Sequence, residues 1–545
     1  NQITYNNKQE NKKDKQSFKG GLTPVVTGLR GLSNSPALGA CAVDVCSMVT
    51  PRTVIEMKNR GPQAGFEALF REGSSCLLHA CLGLIGLGAA TTVSGKFNEK
   101  YGVKAQNIFA SSNTINNMSS LWDKAGGQKD KFFEGFLNNI KGLNGTKWQE
   151  ISQEAKSGLV QNLVKLSDKA GEMATKTGAE KKNLSKEVKA LKDIVTSQII
   201  KDTGAQTSFK LNAVKDEAGK VIHKGISSSL SELTDNAVTL SNTFSSTAKE
   251  NLPSFLKALK GNKTVSTILG LSICAALCMS VQPFNRYLTK KRTGQDGFVG
   301  VENREPDNSK GFKAAKTAMG IAFPIFAAST IGKPSELLAN VQFNSKIPSL
   351  NHFKLIYGLT IGSRFMSARD KNELRESAIK DTLGYTNWLI LGGMVSKLTA
   401  RALGGKDLIN NPVAHENGKK GIKYAAKWLT QASVKSYDEI LLPKAKEFAK
   451  NGKMMKFSEI LKNADRATKS KVYKAAGAQI AGYLYSGLVL GIGISKLNIF
   501  ITRRVQAKRD AKKQMNEQVA KIDKIDTNYV MKTQQQSSTV FKDFK

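Results

Sequence analysis

Three stretches of this chain run without a formal charge: Gly73 to Gly95, Thr264 to Asn285 and Ala475 to Ser495, of 23, 22 and 21 residues. A helix rises about 1.5 Å per residue, so each stretch is long enough to cross roughly 30 Å of hydrocarbon. They leave the chain two solutions: helices with lipid as their solvent, or helices wrapped on every side by the chain's own polar segments. Two of the three run into dense basic clusters. Arg286, Lys290, Lys291 and Arg292 follow the second, and Arg503, Arg504, Lys508 and Arg509 follow the third. Tyr287 stands where an interfacial aromatic belongs, and an excess of Lys and Arg marks a cytoplasmic flank. The sequence predicts a membrane protein with its C-terminal tail in the cytoplasm.

Charge narrows the partners. The chain carries 82 Lys and Arg against 44 Asp and Glu, a net charge of +38, and such a surface attracts polyanions. Anionic lipid headgroups and nucleic acid act through the same Coulomb attraction. Aromatics are 7% of the residues, and the basic clusters adjoin apolar stretches instead of interleaving with aromatics. Lipid headgroups fit that adjacency better than nucleic acid does. Six cysteines fall in three close pairs inside apolar surroundings, Cys41 with Cys46, Cys76 with Cys81, and Cys274 with Cys278. They read as small hydrophobic residues and not as a disulfide framework.

Helical apolar spacing and few prolines predict a mainly α fold, a multipass membrane protein with an extramembrane helical domain. Residues 1–21 read as a flexible basic tail and 22–95 as an N-terminal apolar region with a span at 73–95. Within it, Pro36 to Pro51 holds one carboxylate, Asp44. A carboxylate at the centre of a membrane helix costs about 2.5 to 3.5 kcal/mol, so this piece reads as buried or re-entrant, with Asp44 a functional candidate if it enters lipid.

Residues 96–263 are polar and helical and form the extramembrane domain through which protein partners are expected. There Leu184, Val188, Leu191, Val195 and Ile199 make one apolar stripe. A small β-hairpin is expected near 209–225, around a turn-like Asp216 to Gly219. Residues 264–500 form the membrane region, with spans at 264–285 and 475–495 and shorter apolar pieces at 317–332, 355–363 and 382–396. The last interval, 501–545, reads as a basic helix fraying into a polar tail. Gly86 with Ala90, and Gly487 with Gly491, have the four-residue spacing of small residues that lets helices touch closely.

A phrase recurs after the two strongest spans. Residues 285–291 and 498–504 both read Asn, any residue, aromatic, Leu or Ile, Thr, basic, basic, at an offset of 213. A duplication would run both spans in the same direction, and an odd number of crossings must then lie between them.

Catalytic chemistry is not indicated. Cys76, His79 and Cys81 cannot converge on one ion from an unbroken helix, because His79 and Cys81 lie about 160° apart. The glycine clusters match no phosphate-binding loop, and no nucleophile elbow or zinc-protease spacing occurs. No cofactor and no metal are expected. The leading expectation is a structural or interaction component of a membrane whose basic flanks contact anionic lipid. Two other classes stay open: a solute or ion transporter or channel built on the broken segments at Pro324 and Gly392–Gly393, and a soluble basic helical protein binding nucleic acid or membrane surfaces.

Overall fold

The computed structural model describes residues 22–34, 36–142, 153–203, 208–211, 214–215, 221–223, 226–295, 306–344, 348–410, 421, 424–425, 428–429, 432–445 and 457–540. The fold is mainly α. Helix α1 is Leu22–Asn34. Helix α2 joins Pro36–Val43, a π-helical turn Asp44–Val49 and Thr50–Arg60. Gly61, at φ 96°, takes a backbone conformation open to glycine and reverses the chain into α3, Pro62–Val93. Next come α4 (Gly95–Tyr101), α5 (Ser112–Lys124), α6 (Lys129–Asn139), α7 (Gln153–Thr175), α8 (Gly178–Thr203) and α9 (Leu230–Ser245). Helix α10 spans Leu252–Thr293 without a break, α11 is Lys310–Ser329, α12 Pro334–Asn340 and α13 Leu350–Met366. Helix α14 joins Lys371–Thr386, a π turn Asn387–Leu391 and Gly392–Gly404. After α15 (Tyr437–Ala445) and α16 (Phe457–Asn463), α17 joins Arg466–Ser486, a π turn Gly487–Gly493 and Ile494–Val540. The side chains of Ser111, Ser229, Ser309, Ser349, Asp370 and Asp465 accept from the first turns of α5, α9, α11, α13, α14 and α17, which fixes where these helices begin.

Strands are short. β1 (Ile140–Gly142), β2 (Ser208–Leu211) and β5 (Ile226–Ser229) form one antiparallel sheet, and β3 (Val214–Lys215) pairs with β4 (Val221–His223) with Val214 opposite His223. The β3–β4 pair is the hairpin expected near 209–225. Its turn, 216–219, lies outside the described residues, as do 1–21 and 541–545.

Contacts fix the directions of the long helices. Asn262 meets Val93, Gly270 crosses Gly86, and Phe284 meets Phe70 at 6.0 Å, so α10 runs antiparallel to α3. Gly320 meets Met366, Pro324 meets Gly362 and Ala327 meets Gly358, so α11 and α13 are antiparallel. Ser363 donates to the Met279 carbonyl at 2.8 Å, and Ile356 clusters with Cys274, which makes α13 parallel to α10. Tyr385 stacks on Tyr357 and Trp388 meets Phe353, turning α14 against α13. Ser486 meets Gly392 and Gly482 meets Ser396, turning α17 against α14. Finally Ser47 touches Gly491 and Asn59 accepts from Arg503, so α17 runs parallel to α2. Helices α2, α3, α10, α11, α13, α14 and α17 thus alternate in direction through one bundle. The two helices that carry the repeated phrase run the same way, with three traverses between them.

Among the described residues, four helical stretches are long and apolar enough to cross a membrane: Leu38–Arg60, Pro62–Val93, Lys249–Thr293 and Arg466–Ile522. The pair α11 and α12, bent by 75°, passes the same test together. Two expectations change. The Pro36 to Pro51 segment, expected as buried or re-entrant and not as a span, is part of a continuous helix, Leu38–Arg60, long and apolar enough to cross a membrane, and Asp44 within it is buried, as the first half of that expectation has it. The last helix continues to Val540, since no Gly or Pro interrupts the run after Gly493.

Two further cores lie at the end of the bundle where α3 finishes and α10 begins. One gathers Trp122, Phe132, Phe133, Phe136, Phe244 and Phe255 from α5, α6, α9 and the start of α10. Val188, Leu191, Val195 and Ile199 of the stripe on α8 pack into this core and Leu184 is buried, which makes the stripe ordinary helix packing. The other gathers α1, the end of α14, α15, α16 and the start of α17 around Trp428, Tyr437 and Leu461.

Candidate functional site: a buried ionic ladder inside apolar helices

The long helices are sorted inside out. On α10 from Lys263 onward the buried residues are Lys263, Ser266, Thr267, Gly270, Cys274, Cys278, Val281, Gln282, Asn285 and Thr289, while Val265, Ile268, Leu277, Phe284 and Tyr287 are exposed. On α3 the buried face carries Glu67, Arg71, Glu72, Ser75 and His79, and Leu77 and Leu84 stand outside at 66% and 64% exposure. On α17 Ser486, Gly491, Ser495, Asn498 and Thr502 are buried and Leu484, Leu488, Leu497 and Phe500 are exposed.

The inward charges form a ladder. At one end Arg286 pairs with Glu373 at 2.5 Å. Arg60 pairs with Glu376 at 2.7 Å and with Glu56 at 3.2 Å, and the Thr502 hydroxyl donates to Glu376 at 3.0 Å. Deeper in, Glu72 takes four cations, Arg364 at 3.1 Å, Arg52 and Arg71 at 3.4 Å and Lys380 at 3.5 Å, and Arg364 also holds Asp381 at 2.7 Å. These groups come from α2, α3, α13 and α14, and Glu72 is 3% exposed. Burial of this kind is tolerated only when charges are paired.

Where the pairs stop, buried polar atoms remain without hydrogen bonds among the described residues: both ring nitrogens of His79, Tyr357 Oη and Trp388 Nε1, beside the second oxygen of the paired Asp381 and the guanidinium of Arg52, which is held by its 3.4 Å ion pair with Glu72 alone. His79, fully buried, is packed by the rings of Phe353, Tyr357 and Trp388 at 5.4, 5.7 and 6.3 Å. Orphaned polar atoms gathered in one interior region mark a place where water, an ion or a ligand belongs, or where strain is stored.

Asp44, the carboxylate singled out from sequence, opens the π turn of α2 at 5% exposure with the Cys76 thiol as its hydrogen-bond partner. Along α2, Arg60, Arg52 and Asp44 are spaced eight residues apart, about 12 Å per step. Cys76 and His79 share the inward face, and Cys81 does not join them.

The remaining residues divide. Gly86 and Gly270 bring α3 and α10 into contact and leave room for the ring of Phe343, which a Cβ on Gly86 would strike. Ala90 lies one turn further along this crossing, beside Asn262 and Ser266. Gly491 lets α17 rest on the Ser47 carbonyl and Pro51 of α2, and Gly487 sits above the Ser47 side chain. Arg286 turns inward to its carboxylate. Tyr287, Lys290, Lys291, Arg504, Lys508 and Arg509 are exposed, Arg292 lies over the Phe66 ring at 4.1 Å, and Arg503 donates to the Asn59 carbonyl at 3.2 Å. Basic residues from the ends of α2 and α10 and from residues 503–509 within α17 therefore gather at one end of the bundle.

In the repeated phrase, Asn285 and Asn498 are both buried, as are Thr289 and Thr502. Arg286 of one copy and Thr502 of the other engage Glu373 and Glu376, one turn apart on α14. Sequence reasoning named Arg286 as a basic flank and missed the ladder's other acids and bases. Their signal was spacing: Arg52, Glu56 and Arg60 fall four apart, as do Glu67 and Arg71, and Glu373, Glu376 and Lys380 keep one helical face.

Comparison with protein-family models, with curated proteins and with solved structures finds no match to this chain.

Proposed function

We propose that this chain is an integral membrane protein of structural or interaction type, with lipid as the solvent of its seven alternating helices. The observation that carries the reading is the sorting of the long helices: paired charges and polar groups are buried between them beside apolar residues such as Phe353, Ile361 and Leu490, while Leu77, Leu84, Ile325 and Leu488 stand exposed on the outside. In water this arrangement would leave apolar faces hydrated while charges lay buried, the reverse of what the hydrophobic effect favours. In a bilayer it satisfies both demands. The basic ends gathered beside Tyr287 and Arg503 support a cytoplasmic placement for that end and contact with anionic headgroups. Within this reading the ion pairs hold α2, α3, α10, α13 and α14 in register, the Thr502 hydroxyl ties α17 to Glu376, and the Trp122 to Phe255 core offers a body for protein partners. Alkaline carbonate extraction of membranes tests it: the chain stays in the pellet, and its release into the supernatant would refute membrane residence.

One observation favours a second reading. The ladder leads from the basic end to orphaned polar groups and to helices interrupted by π turns, the kind of lining that passes an ion or solute. Proteoliposomes carrying the wild-type chain or Asp44→Asn distinguish it, since flux that falls in the variant is expected for a transporter and flux in neither form dismisses one.

A further inference from the structure

Lys263 departs from the way this molecule buries its other cations. Arg52, Arg60, Arg71, Arg286, Arg364 and Lys380 each meet a carboxylate. Lys263, on α10 at 8% exposure, has no hydrogen bond from its ammonium and no acidic group acting on it among the described residues. A buried charge left alone is costly, and it persists where a counter-charge neutralises it. Its ammonium is not among the fully enclosed polar atoms, so it keeps accessible surface, and Lys263 lines a cavity. That cavity lies at the end of the bundle where α3 finishes and α10 begins, bordered by residues 105–109 and by Gln342 and Phe343.

Size and chemistry narrow what could answer this charge. The cavity offers about 20 Å³ to a water-sized particle, just above the roughly 10 to 15 Å³ that holds one water, so it admits a single small ion and excludes an organic one. Among the described residues, no Asp or Glu lines it. Its free polar groups can all donate. The Thr267 hydroxyl is buried without a hydrogen bond among the described residues, and so are the amide N–H groups of Gln106, whose oxygen accepts from Asn98 at 2.9 Å. Asn262 and Gln342 are already engaged, the first with Ser94 and the Val93 carbonyl, the second with Ser112. A water in this space would fill it and leave the ammonium unanswered. A monatomic anion does both.

We infer that this cavity binds one small inorganic anion of the halide class, with the Lys263 ammonium as its counter-charge and Thr267 and Gln106 donating. The inference does not depend on the membrane reading. Thermal unfolding of the full chain in detergent is followed as chloride replaces gluconate, an anion too large for the cavity, at constant ionic strength, so that screening of the basic surface stays fixed. The wild-type midpoint should be flat at low chloride and then climb with the logarithm of its concentration, the form that binding to the folded state alone imposes. Lys263→Met should lose the climb. Lys257→Met, which removes the same charge from an exposed position on the same helix, should keep it. Thr267→Val should move the onset of the climb to about tenfold higher chloride, as the loss of one hydrogen bond to a charged group would. A wild-type midpoint that ignores chloride, as a neutral amine in an empty cavity would give, or a climb that survives in Lys263→Met, overturns the inference. Should Lys263→Met not fold, Thr267→Val decides, and an unmoved onset overturns it.

Discussion

The core built on Trp122, Phe136 and Phe255 and the bundle built on Glu72 are sorted in opposite ways. In the first, Phe132, Phe133, Leu163, Val195 and Leu233 are fully buried, and the outer positions of α7 and α8 carry Lys169, Glu172 and Glu187 in exposed ion pairs. In the second, Arg52, Glu72, Arg364 and Asp381 lie inside beside Phe353, Ile361 and Leu490, and Leu77, Leu84, Ile325 and Leu488 lie outside. One chain therefore contains two answers to the question of which solvent surrounds it. Helix content does not separate the two regions, since both are helical. The direction in which each helix turns its apolar side does.

That contrast can be broken most forcefully at its centre. Glu72→Gln leaves Arg52, Arg71, Arg364 and Lys380 around a neutral amide. The bundle should lose about 3 to 5 kcal/mol, the effect of removing one partner from a buried ionic group, read as a lower unfolding midpoint in detergent or loss of folded protein. Unfolding of the Trp122–Phe255 core, followed separately by hydrogen exchange, should shift far less. A midpoint unchanged in the bundle would mean that the ladder is not what holds it.

Next in size is Leu84→Asp on the outward face of α3. With lipid outside, the substitution should raise the cost of inserting α3 by about 2.5 to 3.5 kcal/mol in a translocon insertion assay. With water outside, the same change at an exposed position would stay within about 0.5 kcal/mol. A neutral result would erase the distinction between the two regions.

Gly491→Val sharpens the comparison from within the bundle. A Cβ at Gly491 would collide with the Ser47 carbonyl and lie 2.8 Å from Pro51, so overpacking should cost about 1 to 3 kcal/mol in thermal unfolding. Gly393→Ala, which meets open space, is the matched control with little expected change. The smallest effect is at the basic flank. Lys508→Gln and Arg509→Gln should each weaken sedimentation with anionic vesicles by about 1 kcal/mol at low salt, with no change on neutral vesicles.

Much of the fold was legible in the sequence because uncharged length and small-residue spacing are local signals. The stretches at 264–285 and 475–495, the hairpin strands and the 213-residue offset could all be read from residues near one another, and Gly491 shows why its spacing mattered. What was not legible was partnership. Arg364 and Glu72 stand 292 residues apart and meet only when α13 and α3 are brought together. The lone Asp44 is legible because it interrupts an apolar run, whereas Glu72 and Lys380 border such runs and carry no local signal of their burial. The π turns left no mark beyond the glycines at 392, 393, 487, 491 and 493, since an inserted residue depends on the neighbour that it accommodates.

Helix α10 joins the two regions mechanically. Its first turns are cemented into the Phe255 core, and its last turns carry the Arg286 contact with Glu373, a single rod of 42 residues, about 63 Å, with no linker along it. Whatever grips the outer body takes hold of the same shaft that ends beside the ladder. A push or twist delivered outside would travel along that one helix toward Glu373, with Pro283, three residues before Arg286, as the point where its backbone hydrogen bonding is interrupted.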